Sequence, residues 1–276
     1  MMKGRAKHPA IAPLIVTIIL LAAGIVLLQT ALFHINPIKI GYNRFNYGQC
    51  VIYSKEASAD AEYKELRAAM LQNESAFGLY YKERIKLILC KSQKEIDRYL
   101  PLVNRIDRKN AGGFAPWPNT VYITPKIREK NGNLHGILVH ELSHILLHQN
   151  YGILKCTKLW RRYEWIPEGF AVFYAKWPIY FTKKRLQETI SAVGIDMKNG
   201  QLLGNKRPEE VALPIRFMVY YYFVDYLHNR NEGKQLSGFL QKACSNPRRV
   251  ESIFEESFGS SFSEYVKAFA LSLGGG

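Results

Sequence analysis

ILVHELSHILL, Ile137 to Leu147, is the stretch on which the reading of this chain turns. Apolar residues flank His140, Glu141, Ser143 and His144, and no proline or glycine breaks the run. A mostly buried helix is therefore expected here. Asn131 or Asn133 caps its start and Gly152 lies just beyond its end, giving a helix from Leu134 to about His148. Helical positions four apart lie on one face, one turn above each other. His140 and His144 thus present two imidazoles together, and each can offer a nitrogen to one metal ion about 2.0 to 2.1 Å away. Glu141, one residue round from His140, stands beside that pair without being drawn into it, as a general base must.

A zinc ion that hydrolyses bonds has three protein ligands and a fourth position open to solvent, so a third ligand is needed. His148 continues the column, but positions i, i+4 and i+8 span about 12 Å and cannot converge on one ion. Leu147 and Asn150 also rule out the H-x-x-G-x-x-H continuation of the metzincins. The third ligand is therefore sought among carboxylates, and Trp165-Ile-Pro-Glu168-Gly-Phe-Ala-Val-Phe173 supplies one. Pro167 suits the first turn of a helix, Glu168 projects from that turn, and Gly169 and Ala171 leave room for the histidine helix to approach. Glu164, four residues earlier, is the rival. Glu168 is favoured because a ligand is best held on an ordered helix.

HELSH followed by WIPEGFAVF resembles the gluzincin metallopeptidases, thermolysin-like in catalytic fold, and is most similar to the peptidase-MA-like group. The likeness covers about Ala111 to Phe173 and, more loosely, PIRFMVYYYFVDYL, Pro214 to Leu227. It implies a zinc cofactor held by His140, His144 and Glu168. It also implies Glu141 as base for a zinc-activated water and a protein or peptide substrate. A tyrosine hydroxyl from Tyr220, Tyr221 or Tyr222 would stabilise the oxyanion, and Tyr221 is the best match to the family's helix. The glycine-rich Gly112, Gly113 and Phe114 fall where gluzincins place the sheet edge that binds an extended substrate. Two departures stand out. The connection Asn150 to Glu164 is long and reads as a family-specific loop, and Val172 replaces the aspartate that thermolysin-like enzymes use to orient a ligand histidine. No pattern for capturing a free amino terminus is recognisable, so endopeptidase action is preferred.

The first 40 residues add a location. Ile11 to Phe33 is a run of 23 mostly apolar residues with no full charge. As a helix it spans roughly 34 Å, enough for a hydrocarbon core of about 30 Å. It is too long for the apolar part of a signal peptide. An uncleaved single-pass anchor is expected, with residues 1–10 (Lys3, Arg5, Lys7) as a cytoplasmic tail, 34–46 as a juxtamembrane tether and the rest outside the cytoplasm.

With 47% hydrophobic and 22% charged residues, disorder is excluded for most of the chain, and no internal repeat is visible. The formal charge of +15 comes from Lys and Arg scattered among separate segments, with no nucleic-acid fold signature, so no nucleic-acid partner is expected. Cys50, Cys90, Cys156 and Cys244 stand far apart with no C-x-x-C and are assigned no chemistry.

Strand-like Tyr47 to Lys55, Ile85 to Cys90 and Val121 to Thr124 alternate with helical patterns at Ser58 to Leu79 and after the S-x-x-E box at Ser92. Beyond Trp165 only helices are expected: Pro167 to Lys176, Lys183 to Val193, Leu213 to His228, Gly233 to Ala243, Arg248 to Phe258 and Ser261 to Leu273. The expected class is α+β: a transmembrane helix, a small mixed-sheet lobe (47–150) carrying the histidine helix, and a mostly helical lobe (151–276). The expected function is a membrane-anchored zinc peptidase. The alternative is an inactive membrane-anchored binding or regulatory module that retains its zinc site.

Overall fold

The computed structural model describes residues 11–35, 41–92, 94–95, 113–117, 119–128, 133–176, 182–230, 233 and 235–274. Five strands form one sheet in the order β1-β2-β3-β5-β4: β1 (Asn43–Tyr47), β2 (Cys50–Ser54), β3 (Ile85–Leu89), β4 (Gly113–Trp117) and β5 (Thr120–Ile123). β1 and β2 are a hairpin whose Tyr47–Cys50 pair leaves only Gly48 and Gln49 in the turn. Gly48 has φ +59, a conformation that favours glycine. β2, β3 and β5 run parallel, and β4 returns antiparallel at the edge.

Period-two alternation splits the sheet's side chains. Ile52, Ile85, Leu87, Leu89, Val121 and Ile123 belong to the main core with the helices, whereas Ile88, Phe114 and Tyr122 form a second cluster. Helices α1 (Ile11–Ile35), α2 (Asp60–Phe77), α3 (Pro125–Arg128), α4 (Leu134–Tyr151), α5 (Ile153–Arg162) and α6 (Trp165–Tyr174) follow in chain order. After them come α7 (Lys183–Ala192), α8 (Leu213–Arg230), α9 (Leu236–Ser245), α10 (Val250–Phe258) and α11 (Phe262–Gly274). From α6 onward the helices match the sequence expectation with ends shifted by at most three residues, as at Gly233 against Leu236.

The structure corrects the expected α+β class to a predominantly helical chain with one small mixed sheet. One physical reason lies in the Asn150 to Glu164 connection, read from sequence as a loop. It is helix α5, with Cys156 and Leu159 turned inward and Lys155, Lys158, Arg161 and Arg162 outward. Part of the supposed tether is also ordered, as β1.

The membrane anchor is overturned as well. Among the described residues no helix is long and apolar enough to cross a membrane, so the single-pass placement with an extracytoplasmic domain is not supported. The apolar run does form α1, with Leu14, Ile18, Leu21 and Ile25 exposed. The tail 1–10 lies outside the described residues. All four cysteines are buried free thiols.

Two packing devices place the site. Along α4, polar side chains of α2 and the loop after it hold the helix at successive turns. Asn73 Nδ2 donates to the Val139 carbonyl at 2.9 Å, and the Tyr81 hydroxyl donates to the Leu142 carbonyl at 3.0 Å. Near the end of the helix, Asn150 Nδ2 donates to the Tyr80 carbonyl, while Gln149 Oε1 accepts from the Lys82 and Glu83 N–H groups. In the helical half, Trp165 is an aromatic hub. It stacks on Phe239 and Phe262 and meets Phe223 and Phe254 edge-on, which ties the start of α6 to α8, α9, α10 and α11.

Asn73 is fully buried, so Asn73→Leu keeps the branched shape, with somewhat more bulk, but removes a buried bond to α4. A loss of about 1 to 3 kcal/mol is expected in urea unfolding. An unchanged midpoint would show that the bond does not anchor the helix.

Candidate metal centre

α4 starts where the sequence places it. Asn133 caps it by accepting the Gly136 N–H at 2.9 Å, and a Cβ on Gly136 would stand 2.3 Å from Asn133 Nδ2. Asn131 lies outside the described residues. Every residue from Gly136 to Leu147 is buried except Glu141. α6 begins at Trp165, so Pro167 sits in the first turn, where its missing N–H removes no helix bond. Glu168 follows, its own N–H donating to the Glu164 carbonyl at 3.1 Å.

The two helices converge at a point. His140 Nε2 and His144 Nε2 are 3.3 Å apart, and Glu168 Oε2 is 3.4 Å from the first and 3.7 Å from the second. Tetrahedral coordination with bonds of about 2.0 to 2.1 Å requires ligand separations of about 3.4 Å. The three edges fit that requirement. The imidazole planes stand at 89° to each other. All three residues are only 5 to 6% exposed. Burial pushes the His140 imidazole down to about 4, which leaves it neutral, with a lone pair to donate, at neutral pH. Two imidazoles and a carboxylate are a hard-to-borderline donor set of the kind that binds divalent ions, and this buried group can hold a metal ion.

Gly169, expected from sequence to make room for the histidine helix, instead faces α8. A Cβ there would meet Val224 Cγ2 at 3.0 Å and Tyr220 Cβ and carbonyl oxygen at 3.3 Å, all on α8. Around the triad, the His140 ring packs on Phe217 of α8 and the His144 ring on Trp160 of α5, with centroids 5.7 and 4.6 Å apart. Val172 is buried and apolar, so it offers His140 no hydrogen bond.

The other candidates fall out as follows. Glu164 is engaged elsewhere: Arg216 Nη1 donates to its two oxygens at 2.6 and 2.7 Å, and the Tyr220 hydroxyl donates to Oε2 at 2.9 Å. The Tyr221 ring packs against Phe173 and Tyr222. It is Tyr220 whose phenol feels the Glu168 charge, after burial and Glu164 have already pushed it up.

Gly113 and Phe114 lie on edge strand β4 as expected, but packing explains the glycine. A Cβ on Gly113 would meet Ile137 Cγ2 at 2.7 Å, and Phe114 stacks on Tyr122 in the second core cluster. Gly112 lies outside the described residues. His148 is not part of the triad, and burial lowers its imidazole. His135, read from sequence as a surface or cap residue, bridges Glu65 and Gln72 of α2 at 3.0 and 2.9 Å.

Asn73, Tyr81 and Arg216 were missed in the sequence. Their roles come from contacts between distant segments, and only the burial of a lone polar residue on an apolar helix face, as at Asn73, could have hinted at one.

No protein-family model matches the chain, and a comparison with curated proteins finds no significant match.

Two outcomes test the centre. A divalent ion at a hundredfold excess over its Kd should raise stability by about 2.7 kcal/mol. The rise in Tm should vanish on chelation, and no rise with any divalent ion would refute binding by the folded state. Gly169→Leu should force α6 away from α8 and weaken metal affinity tenfold or more, about 1.4 kcal/mol, with wild-type affinity as the contrary result.

Proposed function

We propose that this protein is a zinc-dependent peptidase of the gluzincin kind. The observation that carries the reading is the buried His140–His144–Glu168 triad with Glu141 beside it, the one residue between Gly136 and Leu147 that is not buried. His2Glu is the donor set of hydrolytic zinc enzymes, and it leaves a coordination position free. When bound, zinc supplies Lewis acidity, which polarises a scissile carbonyl and acidifies a water.

The residues of the chain do the rest. His140, His144 and Glu168 hold the ion. The Glu141 carboxylate accepts the proton of the attacking water and delivers it to the leaving amine nitrogen. A site that only stabilised the fold would have no use for this acid.

β4 offers an extended substrate a route past the triad. It is an edge strand antiparallel to β5, and α4 packs against it. A peptide backbone added to that edge would run alongside the histidine helix.

Glu141→Gln should retain one zinc per chain while losing about 10² to 10⁴ in kcat on an unfolded protein substrate. His144→Ala should lose both metal and activity. Zinc content by mass spectrometry, together with chelator-sensitive cleavage, reads both. A wild-type protein that binds zinc stoichiometrically and cleaves no unfolded protein would instead support a metal-bearing binding module.

A further inference from the structure

Outside α1, the large hydrophobic side chains exposed among the described residues are Leu71, Tyr80, Ile153, Leu154, Leu213 and Leu271. Tyr80, Ile153 and Leu154 share one corner of the molecule. At the end of α4, Asn150 Nδ2 donates to the Tyr80 carbonyl at 3.1 Å, and Gln149 Oε1 accepts the Lys82 N–H at 2.8 Å. The loop that carries Tyr80 and Lys82 is thereby fastened where α5 begins, at Ile153 and Leu154. Tyr80 is 75% and Leu154 79% exposed, so both stand clear of the surface.

α5 continues this corner as a basic ridge. Leu154, Lys158 and Arg161 recur at i, i+4 and i+7, which puts them on one stripe, with Lys155 and Arg162 beside it. All four cations are exposed, whereas Cys156 and Leu159 face the core. The helix contains no acid. Glu83 follows Lys82, and Glu251 accepts from the Tyr163 hydroxyl just past the end of α5, so negative charge stands at the margins of the ridge and none on it.

We propose that this corner docks on an anionic lipid surface, with Tyr80, Ile153 and Leu154 entering the headgroup layer and Lys155, Lys158, Arg161 and Arg162 meeting lipid phosphates. The protein then lies on a bilayer and needs no helix that crosses it. The inference goes beyond the peptidase reading and stands without it. Charge complementarity is one support: an acid-free ridge of four cations on a chain of formal charge +15 is drawn to an anionic leaflet. The apolar tip chooses among anionic partners. Duplex nucleic acid would meet the cations through its phosphates but give Ile153 and Leu154 no apolar surroundings. The boundary between headgroups and acyl chains accepts aliphatic side chains and the amphipathic ring of a tyrosine together. The inner side of α5 carries Trp160 against the His144 ring, so docking would leave this one helix between the triad and the lipid surface.

Sedimentation of the full chain with sucrose-loaded vesicles tests the proposal. The wild type should bind vesicles with about 30% phosphatidylserine roughly tenfold or more tighter than pure phosphatidylcholine near about 0.1 M salt, and the difference should vanish near about 1 M. Combining Lys155→Glu with Lys158→Glu should abolish that preference. Leu154→Ser, which leaves the charge alone, should weaken binding to the anionic vesicles about fivefold. α1 is common to every variant, so these differences read the α5 corner. The substituted side chains are all exposed, and matching melting temperatures check that the variants fold. Equal binding of the wild type to both vesicle types, a double variant that keeps the preference, or Leu154→Ser bound as tightly as the wild type would overturn the proposal. Binding to duplex DNA as tight as to the anionic vesicles, at equal phosphate concentration, would overturn it in favour of a nucleic-acid partner.

Discussion

Two imidazoles and a carboxylate, each almost wholly withdrawn from solvent, meet within 3.7 Å at the crossing of α4 and α6. A buried ionised carboxylate needs a partner that satisfies its charge, and an imidazole nitrogen can offer its lone pair to the same ion. A divalent cation at their meeting point answers all three groups at once. Much of the architecture serves this convergence. Asn73 and Tyr81 fix α4 on either side of His140, and Gly169 lets α6 lie against α8. Trp165 anchors the start of α6 in the aromatic core of the helical half. The site is therefore held by segments that lie far apart in the chain.

The parts of the site that were legible in sequence obey local rules. Spacing of four along a helix puts His140 and His144 together, and proline belongs in a first turn. Those rules need no knowledge of the rest of the fold. The helices after Trp165 were legible for the same reason, since their apolar residues recur at helical spacing over ten residues or more. Helix α5 was hidden because it starts straight after Gly152 and buries little besides Cys156 and Leu159. β1 was hidden because NRFNY is polar and half-exposed at the sheet edge.

Long-range partners were out of reach. Asn73 meets Val139 across 66 residues and Arg216 meets Glu164 across 52, and nothing local announces either bond. Hydropathy misled at the amino terminus, where, among the described residues, the apolar run forms a helix that does not qualify as a membrane span. In the choice between Glu164 and Glu168, helix position pointed to the second. The structure gives the first a different task, an ion pair with Arg216 and a hydrogen bond from the Tyr220 hydroxyl.

Zinc K-edge X-ray absorption on the zinc-loaded protein tests the central claim most directly. Two imidazole nitrogens and oxygen neighbours at about 2.0 to 2.1 Å, one ion per chain, are the predicted first shell. A shell containing sulfur, one with a single imidazole, or loading far below one ion per chain would contradict it.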